Sequence, residues 1–277
     1  MKKNKYPTVM TIAGFDGSGG AGIQADIKTA SALGCFSTSV LTALPVQNTK
    51  GVRKIYPVPI EAVKDQIASL MEDVVPDAIK IGMVHTSELV ETIVSTLARY
   101  KKVPVVFDPV MVATSGHRLI EEETIQAIIK LLIPLADLIT PNMDESAVLA
   151  KTEVKTLAQM KTAGMDIKAL GCKNILLKGG HQESTVITSL LLDEACRYHA
   201  FEFNKIDTDN THGSGCTLSS AIASFMARGK ALHEAVELGQ QYVFNAIENG
   251  ADVQTGEGNG PLNHFFNPRK LIKREIV

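Results

Sequence analysis

The chain has 277 residues, of which 45% are hydrophobic and 21% charged, so it can bury one large core and we predict a single domain over residues 1–277. The formal net charge of -2 supplies no basic field for binding nucleic acid. No stretch approaches the roughly 20 apolar residues that span a bilayer. The 4 cysteines are widely spaced and form no CxxC pair. We therefore expect a cytoplasmic protein without a nucleic-acid or membrane partner.

Short apolar runs alternate along the chain with longer segments of helical period. Strands are predicted at 8–13, 37–44, 78–83, 103–107, 138–140 and 174–177, and helices at 21–33, 60–71, 87–100, 122–132 and 157–170. An antiparallel hairpin is predicted at 186–192 and 198–206, followed by helices at 217–226 and 232–249. This order predicts an α/β fold with a central, mostly parallel sheet flanked by helices and an antiparallel hairpin at one edge.

A glycine-rich loop, AGFDGSGGAG, follows the first long strand at residues 13–22. Its glycines let backbone amides approach a ligand, and the next helix would point its N-terminus at that ligand. Residues 17–22 also fit GxGxxG, which would indicate an NAD-dependent dehydrogenase. That interpretation lacks a ribose-binding carboxylate, because no acidic residue lies between Asp26 and Glu61. The chain has no GxxxxGK[ST] motif, which argues against a Walker-type NTPase.

A second glycine-rich segment, residues 207–222, passes abruptly from polar residues to a helical pattern. We predict a turn at Gly213, Ser214, Gly215 and Cys216, with its amides at the positive end of the next helix. Such amides can stabilise charge on a transferring phosphoryl group, and the same field would favour the thiolate of Cys216. The alternative is a small buried cysteine beside a simple turn. The flanking amides favour the anion-binding interpretation.

Polar residues stand at the ends of three predicted strands. Asp108 and Lys178 each come directly after a strand, and Asn142 and Glu145 lie just beyond another. Ligands bind at the carboxyl ends of strands in open α/β sheets, so these side chains are candidates for a common site. Asn142 and Glu145 also fit a capping box that begins a helix, and the two roles can coexist.

These motifs belong to a longer pattern that resembles the vitamin kinases of the ribokinase-like superfamily, specifically the hydroxymethylpyrimidine/phosphomethylpyrimidine kinases of thiamin synthesis. The resemblance runs nearly end to end, through TIAGFDGSGGAGIQADIKT, LTALPVQNTKGV, KIGMV, DPVMVATSG, LITPNMDESAVL, LLKGGH, NTHGSGCTLSSAIA and GNGPLNHF. It implies a homodimeric kinase that uses ATP and Mg²⁺. Its substrates would be 4-amino-5-hydroxymethyl-2-methylpyrimidine and the monophosphate of that compound.

The resemblance also implies roles for the residues of the phosphoryl-transfer site. Cys216 would be the base that takes the proton of the substrate hydroxyl, and the amides of residues 213–216 would form the anion hole. Asp108 and Glu145 would act on magnesium bound to the phosphates. This division fits phosphoryl transfer, which depends mainly on positioning and charge neutralisation.

Binding of nucleotide and substrate is implied for a further set of residues. Asn142, Lys178 and Ser214 would bind the nucleotide. The substrate ring would lie near seven residues, which are Gly14, Ala21, Asp26, Pro45, Gln47, Met83 and Val110. Two positions depart from the family pattern: Thr114 stands where the family usually has lysine, and residues 15–17 read Phe-Asp-Gly where many relatives differ.

Two further alternatives stay open. The first is a pyridoxal or pyridoxine kinase, since some similar vitamin kinases phosphorylate vitamin B6. Gln47 favours the pyrimidine, because its amide can both donate to and accept from an aminopyrimidine edge that a pyridoxal ring lacks. The second is a non-catalytic sensor of small molecules on the same fold. Such a sensor would not require Cys216, Asp108, Glu145 and Lys178 together.

Overall fold

The computed structural model describes residues 3–111, 120–179 and 185–275. Its strands are β1 Asn4–Lys5, β2 Thr8–Ala13, β3 Phe36–Leu41, β4 Ala43–Asn48, β5 Gly51–Pro57, β6 Ala78–Ile81, β7 Val105–Phe107, β8 Leu138–Ile139, β9 Ile175–Leu177, β10 Val186–Leu192, β11 Tyr198–Asn204 and β12 Arg274–Glu275. Its α-helices are α1 Gly22–Ala32, α2 Ile60–Asp73, α3 Ser87–Leu97, α4 Glu122–Ala127, α5 Ile133–Leu135, α6 Met143–Ala150, α7 Leu157–Ala169, α8 Ser214–Ala227 and α9 Leu232–Glu248. Within these ranges, every helix is too short or too polar to cross a bilayer.

The central sheet has eight strands in the order β11-β10-β9-β8-β7-β6-β2-β3. The strands from β3 to β9 in this order are parallel, and β10 and β11 add an antiparallel hairpin at one edge. The predicted fold class is therefore confirmed. Strands β2 and β6 to β9 are buried along their whole length, as their apolar sequences predict.

The alternation of side chains along each strand divides the interior into two cores. On β7, Val105 and Phe107 pack with α2, α3 and α7 on one face, whereas Val106 packs with α8 and α9 on the other. Helix α1 lies on the same side as α8, because its Ala30 and Ala32 belong to the same core. Helices therefore cover both faces of the sheet, and the loops that follow the parallel strands meet at one edge.

Two predicted elements differ from the structure near that edge. The strand predicted at 37–44 ends at Leu41, where β2 also ends and the Thr42 amide makes the last bond of their ladder, to the Ala13 carbonyl (3.0 Å). The Thr42 hydroxyl donates to the Met83 carbonyl (3.0 Å). The chain then leaves the central sheet and forms the separate β4–β5 hairpin. Helix α8 begins at Ser214, three residues before the predicted start, because Gly213 with φ 83° serves as its N-cap.

The bounds of two helices do not follow from the sequence pattern. The helix predicted at 122–132 is regular only to Ala127, and Ile128–Leu132 forms a π-helical turn. Helix α6 was recognised only through its capping box, because its eight residues offer little helical periodicity.

Candidate active site

The structure brings the predicted polar residues together at the carboxyl ends of β7, β8 and β9. Lys178 Nζ lies 2.9 Å from Asp108 Oδ1 and 3.9 Å from Glu145 Oε2. Thr140, which follows β8, donates its hydroxyl to Asp108 Oδ1 (2.9 Å). Both carboxylates are nearly sealed from solvent, so one ammonium group serves two buried acids.

Asn142 and Glu145 form the capping box that the sequence indicates. The backbone amide of Asn142 donates to Glu145 Oε2 (2.8 Å), and the backbone amide of Glu145 donates to the side-chain oxygen Oδ1 of Asn142 (2.8 Å). Asn142 also forms a parallel bridge with Lys178. The cap therefore fixes Glu145 beside Lys178. Because the side-chain oxygen of Asn142 already accepts a hydrogen bond in the cap, the side-chain NH₂ group is the part of Asn142 that can donate to a phosphate.

The two acids differ in ionisation. Burial raises the pKa of Glu145 to about 7, with Lys178 opposing the rise and Asp108 adding to it. Burial also acts to raise the pKa of Asp108, but the positive charges of Lys178 and Lys80 outweigh it and lower that pKa. Near neutral pH, Asp108 is thus a carboxylate while Glu145 is divided between its two forms.

These oxygens fit a magnesium ion held partly by phosphate. In residues 3–111, 120–179 and 185–275, no group of three or more His, Cys, Asp or Glu side chains could hold a metal alone. Mg²⁺ is commonly bound through one or two carboxylates, with substrate phosphates and water completing its octahedron. Asp108 and Glu145 supply that number of carboxylates, and a cation there would favour the ionised form of Glu145.

The N-terminus of α8 lies beside the same cluster. A side chain at Gly215 would begin 3.2 Å from Lys178 Nζ and 3.5 Å from Asp108 Oδ2. The Ser214 amide donates to the Thr211 carbonyl (3.1 Å). The amides of Gly215 and Cys216 occupy the second and third helical positions, where an α-helix offers no acceptor of its own. These two amides are the part of the predicted anion hole that is best placed to receive a phosphate oxygen.

The two glycine-rich segments are in direct backbone contact. A Cβ atom at Gly213 would lie 1.8 Å from the Gly20 carbonyl oxygen, so no other residue fits there without moving the backbone. The positive φ of Gly213 imposes the same restriction independently. This contact holds the loop of residues 13–22 against the start of α8.

Cys216 is half-buried at the third position of α8, and the backbone amide of Gly22 acts to lower the pKa of its thiol. Burial raises the pKa of the thiol to about 11; Lys80 opposes this rise, whereas Asp26 and Asp108 add to it. The expectation that the helix terminus favours the thiolate is therefore wrong for this structure. Desolvation and two nearby carboxylates outweigh the helix end, and the thiol is protonated at neutral pH.

Three of the predicted ring-binding residues form one wall. A Cβ atom at Gly14 would lie 2.8 Å from Met83 Cε and 4.0 Å from Pro45 Cδ. On β4, Pro45 is buried and Gln47 half-buried, whereas the alternate residues Leu44 and Val46 are exposed, so Pro45 and Gln47 point inward. Val110 follows Asp108 closely, its amide donating to the Asp108 carbonyl (2.8 Å). Thr114 lies outside the described residues.

Asp16 is a site residue that the sequence interpretation missed. Its carboxylate accepts hydrogen bonds from the Ala21 amide (2.7 Å), the Ser18 hydroxyl (2.6 Å) and His212 Nε2 (2.8 Å). Burial acts to raise its pKa, but hydrogen bonds from His212, Ser18, Gln47 and the Ala21 amide hold that pKa well below its usual range. Asp16 therefore ties the first glycine loop, including Ala21, to the residue that precedes Gly213. A lone carboxylate inside a glycine loop was the signal for it.

Asp26 lies in a buried network of protein side chains. It is 2% exposed, and its oxygens accept from Lys80 Nζ (2.8 Å), the Ser220 hydroxyl (2.6 Å) and the Thr11 hydroxyl. These three donors all come from the protein itself, and the contact of Asp26 with a substrate ring stays a prediction. Lys80, also missed, was signalled by a lysine within an otherwise apolar strand.

Comparisons with known proteins identify the family. The model of the family described as phosphomethylpyrimidine kinase matches residues 16–263. A hydroxymethylpyrimidine/phosphomethylpyrimidine kinase of Bacillus subtilis is 38% identical over 264 residues, which cover 95% of this chain and 96% of that protein. A thiamine biosynthesis bifunctional protein of Geobacter sulfurreducens is 41% identical over 259 residues, 94% of this chain. The chain spans about half of that relative's length, 52%.

A solved structure agrees with these relatives. The crystal structure of an ADP complex of a Bacillus subtilis pyridoxal kinase matches with a TM-score of 0.87 and 32% sequence identity, covering 94% of this chain and 98% of that one. The ribokinase-like α/β architecture expected from the sequence is thereby confirmed. The chain belongs to the phosphomethylpyrimidine kinase family.

Proposed function

We propose that this protein transfers the γ-phosphoryl group of ATP to the hydroxymethyl group of 4-amino-5-hydroxymethyl-2-methylpyrimidine, and then to the resulting monophosphate. The observation that carries the proposal is the meeting of the α8 amide end with Lys178 and Asp108, 3.2 Å and 3.5 Å from the Cβ position of Gly215. Backbone amides, an ammonium group and carboxylates that lie close together are the groups that phosphoryl transfer needs for positioning and charge neutralisation. The kinases named among the relatives support the same reaction.

The nucleotide and its metal would use the cluster at the strand ends. The NH₂ group of Asn142, the ammonium of Lys178 and the N-terminal residues of α8, Ser214 among them, bind the phosphates. Asp108 and Glu145 hold magnesium directly or through water. A bound magnesium ion supplies positive charge that screens the repulsion between the phosphates and the incoming oxygen. The amides of Gly215 and Cys216 stabilise the charge on the transferring group.

Cys216 takes the proton in this proposal. As the substrate oxygen forms its bond to the γ-phosphorus, the hydroxyl proton passes to the thiolate form of Cys216, and the bond between the γ-phosphorus and the bridging oxygen breaks, releasing ADP. A thiol with a pKa of about 11 gives few thiolates at neutral pH, but each is a stronger base than an ordinary cysteine thiolate. The neighbouring charges therefore decide how readily this base forms.

The wall of Gly14, Pro45 and Met83 packs against the substrate ring, and Gln47 reads its amino edge. The Gln47 amide can pair with a ring nitrogen and an exocyclic amine together. Pyridoxal is the second candidate substrate, because the pyridoxal kinase of Bacillus subtilis has nearly the same fold and 32% identity over 94% of this chain. Leaving a buried polar group of Gln47 unpaired would weaken pyridoxal binding.

We propose that the enzyme is a cytoplasmic homodimer. The outward face of the β4–β5 hairpin exposes three apolar side chains, Leu44, Val46 and Tyr56. Exposed apolar surface on one face favours association with another protein surface. Light scattering should give a dimer mass for the wild type and a monomer mass for Val46→Asp. A wild-type monomer would refute the dimer.

The substrate is tested by measuring ADP release with four acceptors side by side: hydroxymethylpyrimidine, its monophosphate, pyridoxal and pyridoxine. We expect the highest kcat/KM with hydroxymethylpyrimidine and measurable turnover of its monophosphate. A higher kcat/KM with pyridoxal would move the protein to vitamin B6 phosphorylation. Absence of turnover with all four acceptors would leave only a binding function.

A further inference from the structure

Helices α1 and α8 run side by side and touch at two levels. At the upper level the starts of the two helices are in contact, because a Cβ atom at Gly213 would lie 3.0 Å from Ala21 Cα. At the lower level, Ser220 donates its hydroxyl to Asp26 Oδ1 (2.6 Å). Ser220 lies four residues, about one turn or 5.4 Å, beyond Cys216 on α8. The carboxylate of Asp26 is therefore bound one helical turn below Cys216.

Lys80 reaches this point from the sheet. Its neighbours Ile79 and Ile81 pack into the core on the α2–α3 face, so the alternation of β6 directs Lys80 to the opposite face, toward α1 and α8. Lys80 is completely buried, and its Nζ lies 2.8 Å from Asp26 Oδ2. A Cβ atom at Gly82 would come within 2.8 Å of the same Nζ, so the glycine leaves room for the ammonium.

Four charged groups face Cys216 from the elements packed around it. Lys80 comes from β6, Asp26 from α1, and Asp108 and Lys178 from the ends of β7 and β9. Of the two ammonium groups, Lys178 is the one that Asp108 and Glu145 share at the proposed nucleotide site. Lys80 is completely buried and pairs with Asp26 instead.

We infer that Lys80 is a positioning residue of the phosphoryl-transfer site, whose buried ammonium, oriented by Asp26, stabilises the thiolate of Cys216. A stability role alone explains the pair poorly, because replacing a buried ion pair with apolar residues is often neutral or stabilising. The inference rests on the proposed role of Cys216 as the base. It adds that the charge beneath this base is built into the sheet rather than supplied by a ligand.

The test is the rate of alkylation of Cys216 by iodoacetamide at pH 8.5, without nucleotide or magnesium, followed by mass spectrometry of the peptide. We expect Lys80→Met to slow alkylation about threefold or more, because it removes the positive charge and leaves Asp26 beneath the sulfur. Asp26→Asn should speed alkylation by a similar factor, because it removes the negative charge and keeps Lys80. Cys196, which is exposed at the β10–β11 turn, is the internal reference and should not change.

Opposite shifts in the two variants separate an electrostatic role from a structural one. Loosening of the fold would expose the sulfur and speed alkylation in both variants, which would overturn the inference, as would unchanged rates. Circular dichroism at the assay temperature checks that each variant is folded. If Lys80→Met does not fold, Lys80→Gln takes its place, and a rate equal to or above wild type in that variant contradicts the inference. The readout needs no turnover, so it stays valid even if Cys216→Ala retains activity and the proposed base is wrong.

Discussion

Two lysine–aspartate pairs lie on either side of Cys216, and they differ in their surroundings. In the closed pair, the side chains of Lys80 and Asp26 are 0% and 2% exposed, and the hydroxyls of Thr11 and Ser220 also donate hydrogen bonds to the Asp26 carboxylate. In the open pair, Lys178 is 15% exposed beside Asp108 at 2%. The open ammonium also faces a second carboxyl group, Glu145, at 3.9 Å.

The comparison shows how one fold can combine an ammonium group that is sealed in the interior with one that a ligand can reach. In the closed pair, removing either partner would strand a buried charge, which costs several kcal/mol, about 3–5 in measured cases. In the open pair, under the proposed function, Lys178 would bind a phosphate, and Asp108 and Glu145 would hold magnesium. The same residue types thus form a permanent support on one side of Cys216 and a ligand-binding point on the other.

The largest expected effect comes from removing the residue between the pairs. Cys216→Ala should lower kcat about 100-fold to 10,000-fold, the usual contribution of a positioned base. The KM for the pyrimidine should change little. Steady-state kinetics by ADP release provides both constants, and a kcat near that of the wild type would remove Cys216 from the proton transfer.

A smaller effect is expected at the second carboxyl group of the open pair. Glu145→Gln keeps the capping hydrogen bonds but removes a negative charge from the proposed magnesium site. The magnesium concentration for half-maximal rate should rise about 10-fold to 100-fold, the range seen when supports of a metal site are changed. Superimposable magnesium titrations of wild type and variant would leave Glu145 as a helix cap only.

The same variant has a pH signature in the absence of ligand. The folded-state pKa of Glu145 is about 7 against an ordinary 4.5, so ionisation is harder in the folded protein and wild-type stability falls as pH rises between these values. Glutamine does not ionise, so the Tm of Glu145→Gln relative to wild type should increase from pH 5 to pH 8. Melts run in a chelator measure this, and parallel Tm curves would contradict the raised pKa.

The smallest effect is expected on the substrate side, away from both pairs. Gln47→Leu should lower kcat/KM for hydroxymethylpyrimidine by the equivalent of roughly 0.5–1.5 kcal/mol for each hydrogen bond lost. The kcat/KM for pyridoxal should fall by less. The ratio of kcat/KM values for the two substrates is the measurement. Equal losses would show that Gln47 does not read the amino edge, and a changed magnesium requirement would show that the open pair was disturbed.

The open pair could be predicted from sequence, whereas the closed pair could not. Asp108 and Lys178 each end an apolar run, and the carboxyl ends of parallel strands meet at one edge, so their proximity follows from the fold class. The pairing of Lys80 with Asp26 depends on which face of β6 meets which turn of α1, and that register is set by packing. A buried lysine in an apolar strand shows that a partner is needed without showing which one.

The thiol of Cys216 and the end of β3 show two further limits of prediction from the sequence. The helix N-terminus after Gly213 is visible in the sequence, but the pKa of Cys216 depends on burial and on Asp26 and Asp108, which come from distant segments. The end of β3 at Leu41 depends likewise on a distant segment, because its partner β2 ends at Ala13. Local pattern identifies the elements, and contacts between segments decide where they end and how their side chains ionise.

The difference between the pairs is tested most directly by the Tm shift that a non-hydrolysable ATP analogue with magnesium produces in two matched variants. Ser220→Ala weakens the closed pair and Lys178→Met breaks the open one. Ser220→Ala should lower the unliganded Tm, since a hydrogen bond to a buried carboxylate contributes about 1.5–3 kcal/mol, but keep the ligand-induced shift. Lys178→Met should lose most of that shift. A full shift in Lys178→Met, or its loss in Ser220→Ala alone, would contradict the account.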